Sequence, residues 1–211
     1  MRILITAGAT REHIDAVRFL SNVSTGRTGA LLADALASHG HTVGLLHGEA
    51  AVRPLQVTDL ESFASTADLQ SALRHRLTNA GYDAVIHCAA VSDYRPAEAT
   101  TEKMTSYAAD LIVRLVPSPK LFPELKAYAA PHPLKVIGFK LTAAADAPAR
   151  TAAVAKLFAA GTVDAVIHND MDDRSTGDAR PFQAWRADHT NPETLTGIAP
   201  LAAWLNNFIV A

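Results

Sequence analysis

The sequence is poor in several features that mark large classes of proteins. Its 211 residues include one cysteine, Cys88, which cannot form an internal disulfide or a zinc site of paired cysteines. No apolar run approaches the ~18 residues of a membrane-spanning helix, and the opening segment MRILITAG lacks the long apolar stretch of a signal peptide. Basic residues number 19 against 21 acidic ones, so no excess of positive charge indicates a nucleic-acid surface. We therefore expect a cytoplasmic protein whose partners are neither membranes nor nucleic acids.

What the sequence does contain is a regular alternation of short apolar runs and longer segments of helical spacing. Helices are predicted at residues 27–39, 65–78, 119–128, 145–160 and 198–209. Apolar runs occupy residues 3–5, 41–47, 84–86, 112–116, 135–139 and 165–167, and 182–187 is predicted as a late antiparallel edge strand. Apolar strands that alternate with helices are typical of a parallel sheet covered on both faces. The predicted fold class is therefore α/β: one doubly wound domain over residues 1–211, with a mostly parallel, Rossmann-like sheet and helices on both faces.

Three polar loops, at residues 8–11, 89–103 and 169–177, follow predicted strands, where open α/β sheets bind their ligands. The first, TAGATR, contains Gly8 and ends at Arg11. Its backbone N–H groups could approach a phosphate, with Arg11 supplying charge. An ordinary turn after a strand explains the same residues equally well. The loop is neither a G-x-G-x-x-G dinucleotide motif nor a P-loop.

The second segment, SNVSTGRTG, leads into the first predicted helix. Hydroxyl groups and two glycines at a helix N-terminus favour anion binding, because the unpaired N–H groups and the helix dipole both point there. The candidate residues are Ser24, Gly26 and Gly29. The alternative is that Ser24 or Thr25 simply caps the helix.

The third segment, AAVSDYRP, is followed by EKMTS, which contains Lys103. Small residues directly after a strand let a ligand approach closely, and Asp93 could accept hydrogen bonds from a sugar hydroxyl. Lys103 is a cation suited to a phosphate or a developing oxyanion, although a solvated loop explains it equally well. The nine histidines show no H-E-x-x-H pattern, so we assign no metal to protein ligands. Cys88 is interpreted as a small core residue rather than a nucleophile.

Taken together, these segments resemble the phosphopantothenoylcysteine synthetase family. The family pattern runs from TSGGTREPID through S-N, S-S-G, AAVADYRP, K-x-K-K and G-F segments to A-N-D. The corresponding segments here, in the same order, are TAGATREHIDAVRFLSNVSTGRTG (6–29), AAVSDYRP (89–96), EKMTS (102–106), IGFKLT (137–142) and HND (168–170). Because the chain begins at the synthetase segment, we expect a free-standing form of an enzyme that is often fused behind a flavin-dependent decarboxylase.

The resemblance implies a phosphopantothenate–cysteine ligase of coenzyme A biosynthesis. In that reaction 4′-phosphopantothenate reacts with CTP or ATP to give an acyl-nucleotidylate and pyrophosphate, and cysteine then displaces the nucleotide. The resemblance also implies Mg²⁺ held through the nucleotide phosphates. It further implies a homodimer, for which residues 111–116 are a candidate pairing strand; a strand docked within its own sheet is the alternative.

Roles for individual residues also follow from the resemblance. The catalytic residues are Asn22, which holds the acyl-nucleotidylate, and Lys103, which neutralises the reacting phosphate from a mobile flap. Substrate contacts are expected from Arg18 and Ala90. Nucleotide contacts, with Asp93 at the ribose and Phe139 against the base, are expected from Gly8, Ser24, Gly26, Gly29, Ala89, Asp93, Phe139, Lys156 and Asn169.

Departures from the family pattern keep alternatives open. Gly8-Ala9-Thr10 replaces Gly-Gly-Thr, and only the first lysine of K-x-K-K is present, as Lys103. The IGFKLT segment is closer to eukaryotic members, which resemble ATP users, than to fused bacterial members, which resemble CTP users, so both CTP and ATP stay open. A diverged carboxylate–amine ligase and a non-catalytic nucleotide-binding protein are alternatives. Another is a short-chain-type NAD(P)-dependent reductase, since T-x-G-A-T after a first strand also occurs in that group. Against it, none of the four tyrosines has a lysine four positions later, as that group's catalytic pair requires.

Overall fold

The computed structural model of the protein describes residues 1–105, 110–173, 179–189 and 191–211. Its strands are β1 (Arg2–Ala7), β2 (Arg11–His13), β3 (Phe19–Ser21), β4 (Thr42–Gly48), β5 (Asp59–Phe63), β6 (Ala84–His87), β7 (Tyr94–Pro96), β8 (Leu115–Pro117), β9 (Lys135–Thr142), β10 (Ala165–Asp170), β11 (Pro181–Arg186) and β12 (Glu193–Thr196). Its helices are α1 (Arg27–Ser38), α2 (Thr66–Ala80), α3 (Phe122–Ala129), α4 (Ala147–Ala159) and α5 (Ile198–Val210). Within the described ranges, no helix has the length and apolar character needed to cross a membrane.

Eight of the strands form one sheet in the order β12-β11-β10-β9-β6-β1-β4-β5. Strands β10, β9, β6, β1, β4 and β5 are parallel, and β11 and β12 are antiparallel additions. The chain starts in the middle at β1, moves outward through β4 and β5, and returns past β1 to β6. This confirms the predicted α/β fold with its doubly wound, mostly parallel sheet. The topological switch point, where such sheets bind ligands, lies between β1 and β6.

The parallel strands bury both faces of the sheet because successive side chains point to opposite sides. In β1, Ile3 and Ile5 pack with α1 and α5 on one face, and Leu4 packs with α2, α3 and α4 on the other. All three side chains are fully buried. The sheet therefore has an apolar core on each face, which confirms the prediction that helices cover both sides.

Several short strands were not predicted, and they lack a continuous apolar run. β5 has the sequence DLESF and lies at one edge of the sheet, and β2 and β3 form a separate antiparallel hairpin. The late strand expected at residues 182–187 is present as β11 and is antiparallel, but β12 pairs with it, so it is not the edge. Strands with one face towards water need apolar residues only at alternate positions. A pattern of continuous apolar runs does not identify them.

The apolar run at residues 112–116 does not join the main sheet. Only β8 is a strand, and it pairs antiparallel with β7 in a separate two-stranded ribbon. Ile112 is 90% exposed, and Leu111 and Leu115 are exposed as well. Each strand of the ribbon ends in a proline, Pro96 or Pro117, which has no N–H to give to a neighbouring strand. The run therefore lies on the surface.

Candidate functional site

The loops after β1 and β6 are joined to each other beyond the ends of their strands. The N–H of Ala90 donates to the carbonyl oxygen of Gly8 at 2.8 Å, and the N–H of Thr10 donates to that of Ala90 at 3.2 Å. Ala9 and Ala90 thus extend the parallel pairing by one bridge. The segments TAGATR and AAVSDYRP form one continuous surface at the switch point of the sheet.

Asn22 lies against the second of these loops. Its Nδ2 group donates to the carbonyl oxygen of Val91 at 3.0 Å, and the hydroxyl of the neighbouring Ser21 donates to the carbonyl oxygen of Thr10 at 2.7 Å. Asn22 is exposed. A side-chain amide held by one hydrogen bond keeps a second N–H and its carbonyl oxygen for a ligand. All three segments that the sequence singles out therefore meet here.

The N-terminus of α1 faces the same crevice. Its N-cap is Gly26, in the left-handed conformation, and an added Cβ there would lie 3.1 Å from the N atom of Gly8. The first turn of this fully described helix contains no side-chain cap and no acidic residue. The hydroxyl of Thr25 lies 3.4 Å from the N atom of Arg27, which is longer than an ordinary hydrogen bond. The explanation that Ser24 or Thr25 simply caps the helix is therefore disfavoured.

The N-terminus of α2, by contrast, is occupied by the protein's own side chains. Ser65 and Asp68 form a reciprocal capping box. The buried carboxylate of Glu12 accepts the N–H and the hydroxyl of Thr66 at 2.9 and 2.6 Å. Two carboxylates at this helix end disfavour an anion, so of these two helices α1 is the one suited to a negatively charged ligand.

Three glycines around the crevice are required for packing within the protein. Gly8 and Gly26 have positive φ, and a Cβ on either would lie 2.8 or 2.7 Å from the Cβ of Ala51. A Cβ on Gly29 would lie 2.5 Å from the Cβ of Ala7. Because the missing side chains would point at protein atoms, the phosphate contacts predicted for these glycines would have to come from backbone N–H groups.

Residues 100–105, which include Lys103, are attached to the turn between β2 and β3. The N–H of Thr100 donates to the carbonyl oxygen of Ile14 at 3.2 Å, and the N–H of Met104 donates to Oδ2 of Asp15, also at 3.2 Å. Lys103 itself is exposed. Ser106, the last residue of the EKMTS motif, lies outside the described residues, as do residues 174–178 in the polar stretch after β10.

Phe139 and Asn169 lie on the face of the sheet that α1 and α5 cover. Phe139 packs against the core on that face, and Asn169 follows Ile167 of the same core by two positions in β10. Asn169 is 7% exposed, and its Nδ2 group has no hydrogen-bond partner among the described residues. A buried amide without an acceptor is destabilising, and a bound ligand is one source of the missing acceptor.

Asp170, next to Asn169, is engaged in holding the fold together. Its carboxylate accepts hydrogen bonds from the hydroxyl of Thr142 at 2.5 Å and from the N–H groups of Asp172 and Ala144 at 2.9 and 3.1 Å. The bond from Thr142 is the main reason that the pKa of Asp170 lies well below its usual value. This carboxylate therefore joins the end of β10 to the connection between β9 and α4.

Some predicted residues lie away from the crevice or already have partners. Lys156 is exposed in the last turn of α4, which leads to the amino end of β10, whereas the crevice lies at the carboxyl ends of the strands. Asp93 forms an exposed ion pair with Lys120. Arg11 lies 3.5 Å from Glu49. The ligand contacts of Lys156, Asp93 and Arg11 stay predictions.

Two buried polar residues at the ends of β1 and β6 escaped the sequence analysis. The hydroxyl of Thr6 lies 2.7 Å from Nδ1 of His87 and accepts the N–H of Ala89 at 3.1 Å. Burial lowers the pKa of His87 to about 4, so the ring is neutral at pH 7. The pair supports the start of the loop after β6. In the sequence, each of two apolar runs has a polar residue near its end, and this pattern could have identified the pair.

Comparison with known proteins connects this geometry to a family. The family model of the DNA/pantothenate metabolism flavoprotein C-terminal domain matches residues 1–186. The coenzyme A biosynthesis bifunctional protein CoaBC of Thermococcus kodakarensis is 34% identical over 125 residues. That match covers 59% of this chain and 30% of the relative, so the chain spans less than a third of that protein.

Two solved structures have the same fold over nearly the whole chain. The DNA/pantothenate metabolism flavoprotein from Streptococcus pneumoniae is 25% identical with a TM-score of 0.87, and the match covers 100% of this chain and 98% of that one. The C-terminal domain of a CoaBC protein is 26% identical with a TM-score of 0.74, covering 99% and 93%. The matched model, the shared fold and the joined motif segments agree: the chain belongs to the family of the DNA/pantothenate metabolism flavoprotein C-terminal domain, that of the phosphopantothenoylcysteine synthetases.

Proposed function

We propose that the protein is a phosphopantothenate–cysteine ligase. A curated relative carries the name of a coenzyme A biosynthesis protein, and the C-terminal domain of a protein of that name matches 99% of this chain. Because the chain spans only part of the curated relatives, the activity is inferred from the site as well as from the family. Family membership favours the ligase over the nicotinamide-dependent reductase.

One observation supports the proposal most strongly. The side-chain amide of Asn22 donates a hydrogen bond to the carbonyl oxygen of Val91 at 3.0 Å, beside the N-terminus of α1. This contact orients the Asn22 amide near the N-terminus of α1, a helix end suited to an anion, and beside the loop after β6. An acyl-nucleotidylate has one negatively charged phosphate and one polarised carbonyl side by side. The helix N–H groups suit the phosphate, and the Asn22 amide suits the carbonyl.

In the first step, a carboxylate oxygen of 4′-phosphopantothenate bonds to the α-phosphorus of CTP or ATP. The bond from that phosphorus to its bridging oxygen breaks, and pyrophosphate leaves. The N-terminus of α1 holds the phosphates, and Lys103 neutralises charge at the reacting one. When bound to the nucleotide phosphates, Mg²⁺ would neutralise further negative charge. The described chain contains no group of three His, Cys, Asp or Glu side chains that would hold the metal directly, and the acid-free first turn of α1 fits a magnesium-bound nucleotide.

In the second step, the amine of cysteine attacks the carbonyl carbon of the mixed anhydride. The carbon–oxygen bond to the nucleotide breaks, the mononucleotide leaves with the electron pair, and the amine loses its proton to solvent. Asn22 donates a hydrogen bond to the carbonyl oxygen as negative charge develops there. Arg18 and Ala90 contact the pantothenate substrate, and Asp93, Phe139 and Asn169 contact the nucleotide.

The test uses the purified chain with 4′-phosphopantothenate, Mg²⁺, cysteine and either CTP or ATP. We expect pyrophosphate and a product with the mass of 4′-phosphopantothenoylcysteine, and the faster nucleotide identifies the natural one. When cysteine is omitted, we expect the acyl-nucleotidylate to form but not 4′-phosphopantothenoylcysteine.

The other outcomes select among the alternatives. Pyrophosphate release that depends on a different acid or amine would indicate a diverged ligase. Nucleotide binding without pyrophosphate release under every condition would indicate a non-catalytic protein and contradict the proposal.

A further inference from the structure

The carboxylate of Asp15 is fully buried in the turn between β2 and β3. Its Oδ1 accepts the N–H groups of Val17 and Arg18 at 2.8 and 2.7 Å. Its Oδ2 accepts the N–H of Met104 at 3.2 Å and lies 3.2 Å from Nη1 of Arg18. One oxygen therefore closes the turn, and the other joins that turn to a segment far away in sequence.

The two partners of Oδ2 both adjoin the chemistry proposed above. Met104 directly follows Lys103, the cation assigned to the reacting phosphate. Arg18 is the cation assigned to the pantothenate substrate. Apart from the carboxylate contact, residues 100–105 are tied to this turn by the bond from Thr100 to Ile14. With a single oxygen atom, Asp15 thus binds the backbone next to Lys103 and forms an ion pair with the guanidinium of Arg18.

The contact requires a charged carboxylate. The N–H of Val17, with those of Arg18 and Met104 and the charge of Arg18, holds the pKa of Asp15 below its usual value against the opposing effect of burial. Every partner of the carboxylate is a hydrogen-bond donor. An asparagine at this position would direct N–H groups at one or more of these donors, and donors facing donors repel.

We propose that Asp15 is a positioning residue that holds the Lys103 segment against the Arg18 turn. Its effect on turnover rests on the proposed function, whereas its effect on the attachment of residues 100–105 does not. Asp15 touches no reacting atom; it acts through the placement of Lys103 and Arg18.

Attachment is tested by trypsin, which cleaves after Lys103 and therefore at the peptide bond to Met104. In Asp15→Asn we expect this bond to be cleaved about 10-fold faster, because a charge-assisted hydrogen bond to its N–H is lost. The matched control is Asp164→Asn. Like Oδ2 of Asp15, the carboxylate of Asp164 contacts one backbone N–H and one cation. These belong to Val136 and Lys126, both at 2.7 Å, and lie at the amino end of β10. Equal cleavage after Lys103 in the two variants would overturn the proposal.

Turnover provides the second measurement. In Asp15→Asn we expect kcat for pyrophosphate release to fall about 10-fold or more, while the KM for cysteine stays unchanged, because Lys103 acts on the reacting phosphate. Asp164→Asn should retain the wild-type kcat. A normal kcat in Asp15→Asn would refute the positioning role. An inactive wild-type protein would contradict the proposed function instead, and the trypsin result would still decide the attachment.

A second pair of variants tests the same contact if Asp15→Asn does not fold. Met104→Pro removes the N–H that Asp15 binds and leaves the carboxylate in place. Thr105→Pro places the same rigid residue one position later, where the N–H donates to none of the described residues. We expect kcat to fall in Met104→Pro and to stay near the wild-type value in Thr105→Pro. Equal values for the two variants would contradict the proposal.

Discussion

A hydrogen bond to the backbone orients an exposed side chain before a substrate binds. For Asn22 the hydrogen bond to Val91 provides that orientation, and it joins residues that are 69 positions apart. The pattern S-N in the sequence identifies the residue, but only the fold supplies its partner. The same holds beside Lys103, where the N–H of Met104 donates to the buried carboxylate of Asp15.

Replacing Asn22 by aspartate tests this arrangement. The new carboxylate has no N–H for the carbonyl of Val91 or for a developing oxyanion, so we expect the steady-state kcat for formation of 4′-phosphopantothenoylcysteine to fall about 10²–10³-fold with the fold intact. The control is Asn79→Asp, because Asn79 also donates to a backbone carbonyl, that of His75, at 2.8 Å. If Asn22→Asp turned over as fast as this control, Asn22 would have no part in the mechanism.

The buried ring of His87 predicts how stability depends on pH. Burial lowers its folded-state pKa to about 4 from an ordinary value of 6.5, so protons bind the unfolded chain more strongly. The free energy of unfolding should therefore fall as pH drops from 6.5 towards 4, by up to about 3 kcal/mol from this residue. Burial also lowers the pKa of His168, which adds to the fall in the same direction.

Urea unfolding across this pH range, in the wild type and in His87→Gln, measures the effect. The variant should show a shallower dependence between pH 6.5 and 4. Asp15 and Asp170 have lowered pKa values and lose their contributions only below about pH 4, outside the window of His87. Identical slopes for the two proteins would contradict the role given to His87.

At the scale of elements, the site depends on how closely α1 packs against β1. A Cβ at Gly29 would lie 2.5 Å from the Cβ of Ala7, so a larger residue forces the helix away from the strand. We expect Gly29→Val to lower the free energy of unfolding by roughly 3 kcal/mol and to weaken nucleotide binding, because the N-terminus of α1 moves. Denaturant unfolding and a nucleotide titration measure the two effects. The control Thr28→Val introduces the same residue one position earlier and should change the free energy of unfolding little. An equal loss of stability in the two variants would argue against close packing as the cause.

The elements also show where sequence patterns work and where they stop. The strands β1, β6, β9 and β10 are buried on both faces, so their apolar runs identify them directly. β5 and β12 have mixed polar sequences because they stand at the edges. β8 contains part of an apolar run but lies in a surface ribbon, since the main sheet is completed without it.

At the scale of the whole molecule, the net charge of −2 is compatible with the two anionic substrates that we propose, because the relevant potential is local. The first turn of α1 contains no acidic residue, whereas the corresponding end of α2 is filled by Glu12 and Asp68. The end of α1 is thus suited to the proposed anionic ligand, whereas the end of α2 is used by the fold.

The surface ribbon predicts self-association. Ile112 is 90% exposed and lies beside exposed Leu111 and Leu115, and we expect this apolar strip to pair in a homodimer. Sedimentation velocity at assay concentration should give the mass of two chains for the wild type and of one for Ile112→Glu. Leu55→Glu alters an equally exposed residue, 95% accessible, on the connection between β4 and β5 and should leave the dimer intact. A monomeric wild type would contradict the expected homodimer.

The sequence by itself determined the fold class and the family, and it supplied the candidate residues of the site. It could do so because apolar periodicity and short motifs are local properties of the chain. Tertiary structure alone decided which distant segments meet: Asn22 with Val91, Asp15 with Met104, and Thr6 with His87. It also decided that the glycines Gly8, Gly26 and Gly29 are packing requirements. Hydrogen bonds and close contacts between such segments depend on strand order, which no single segment encodes.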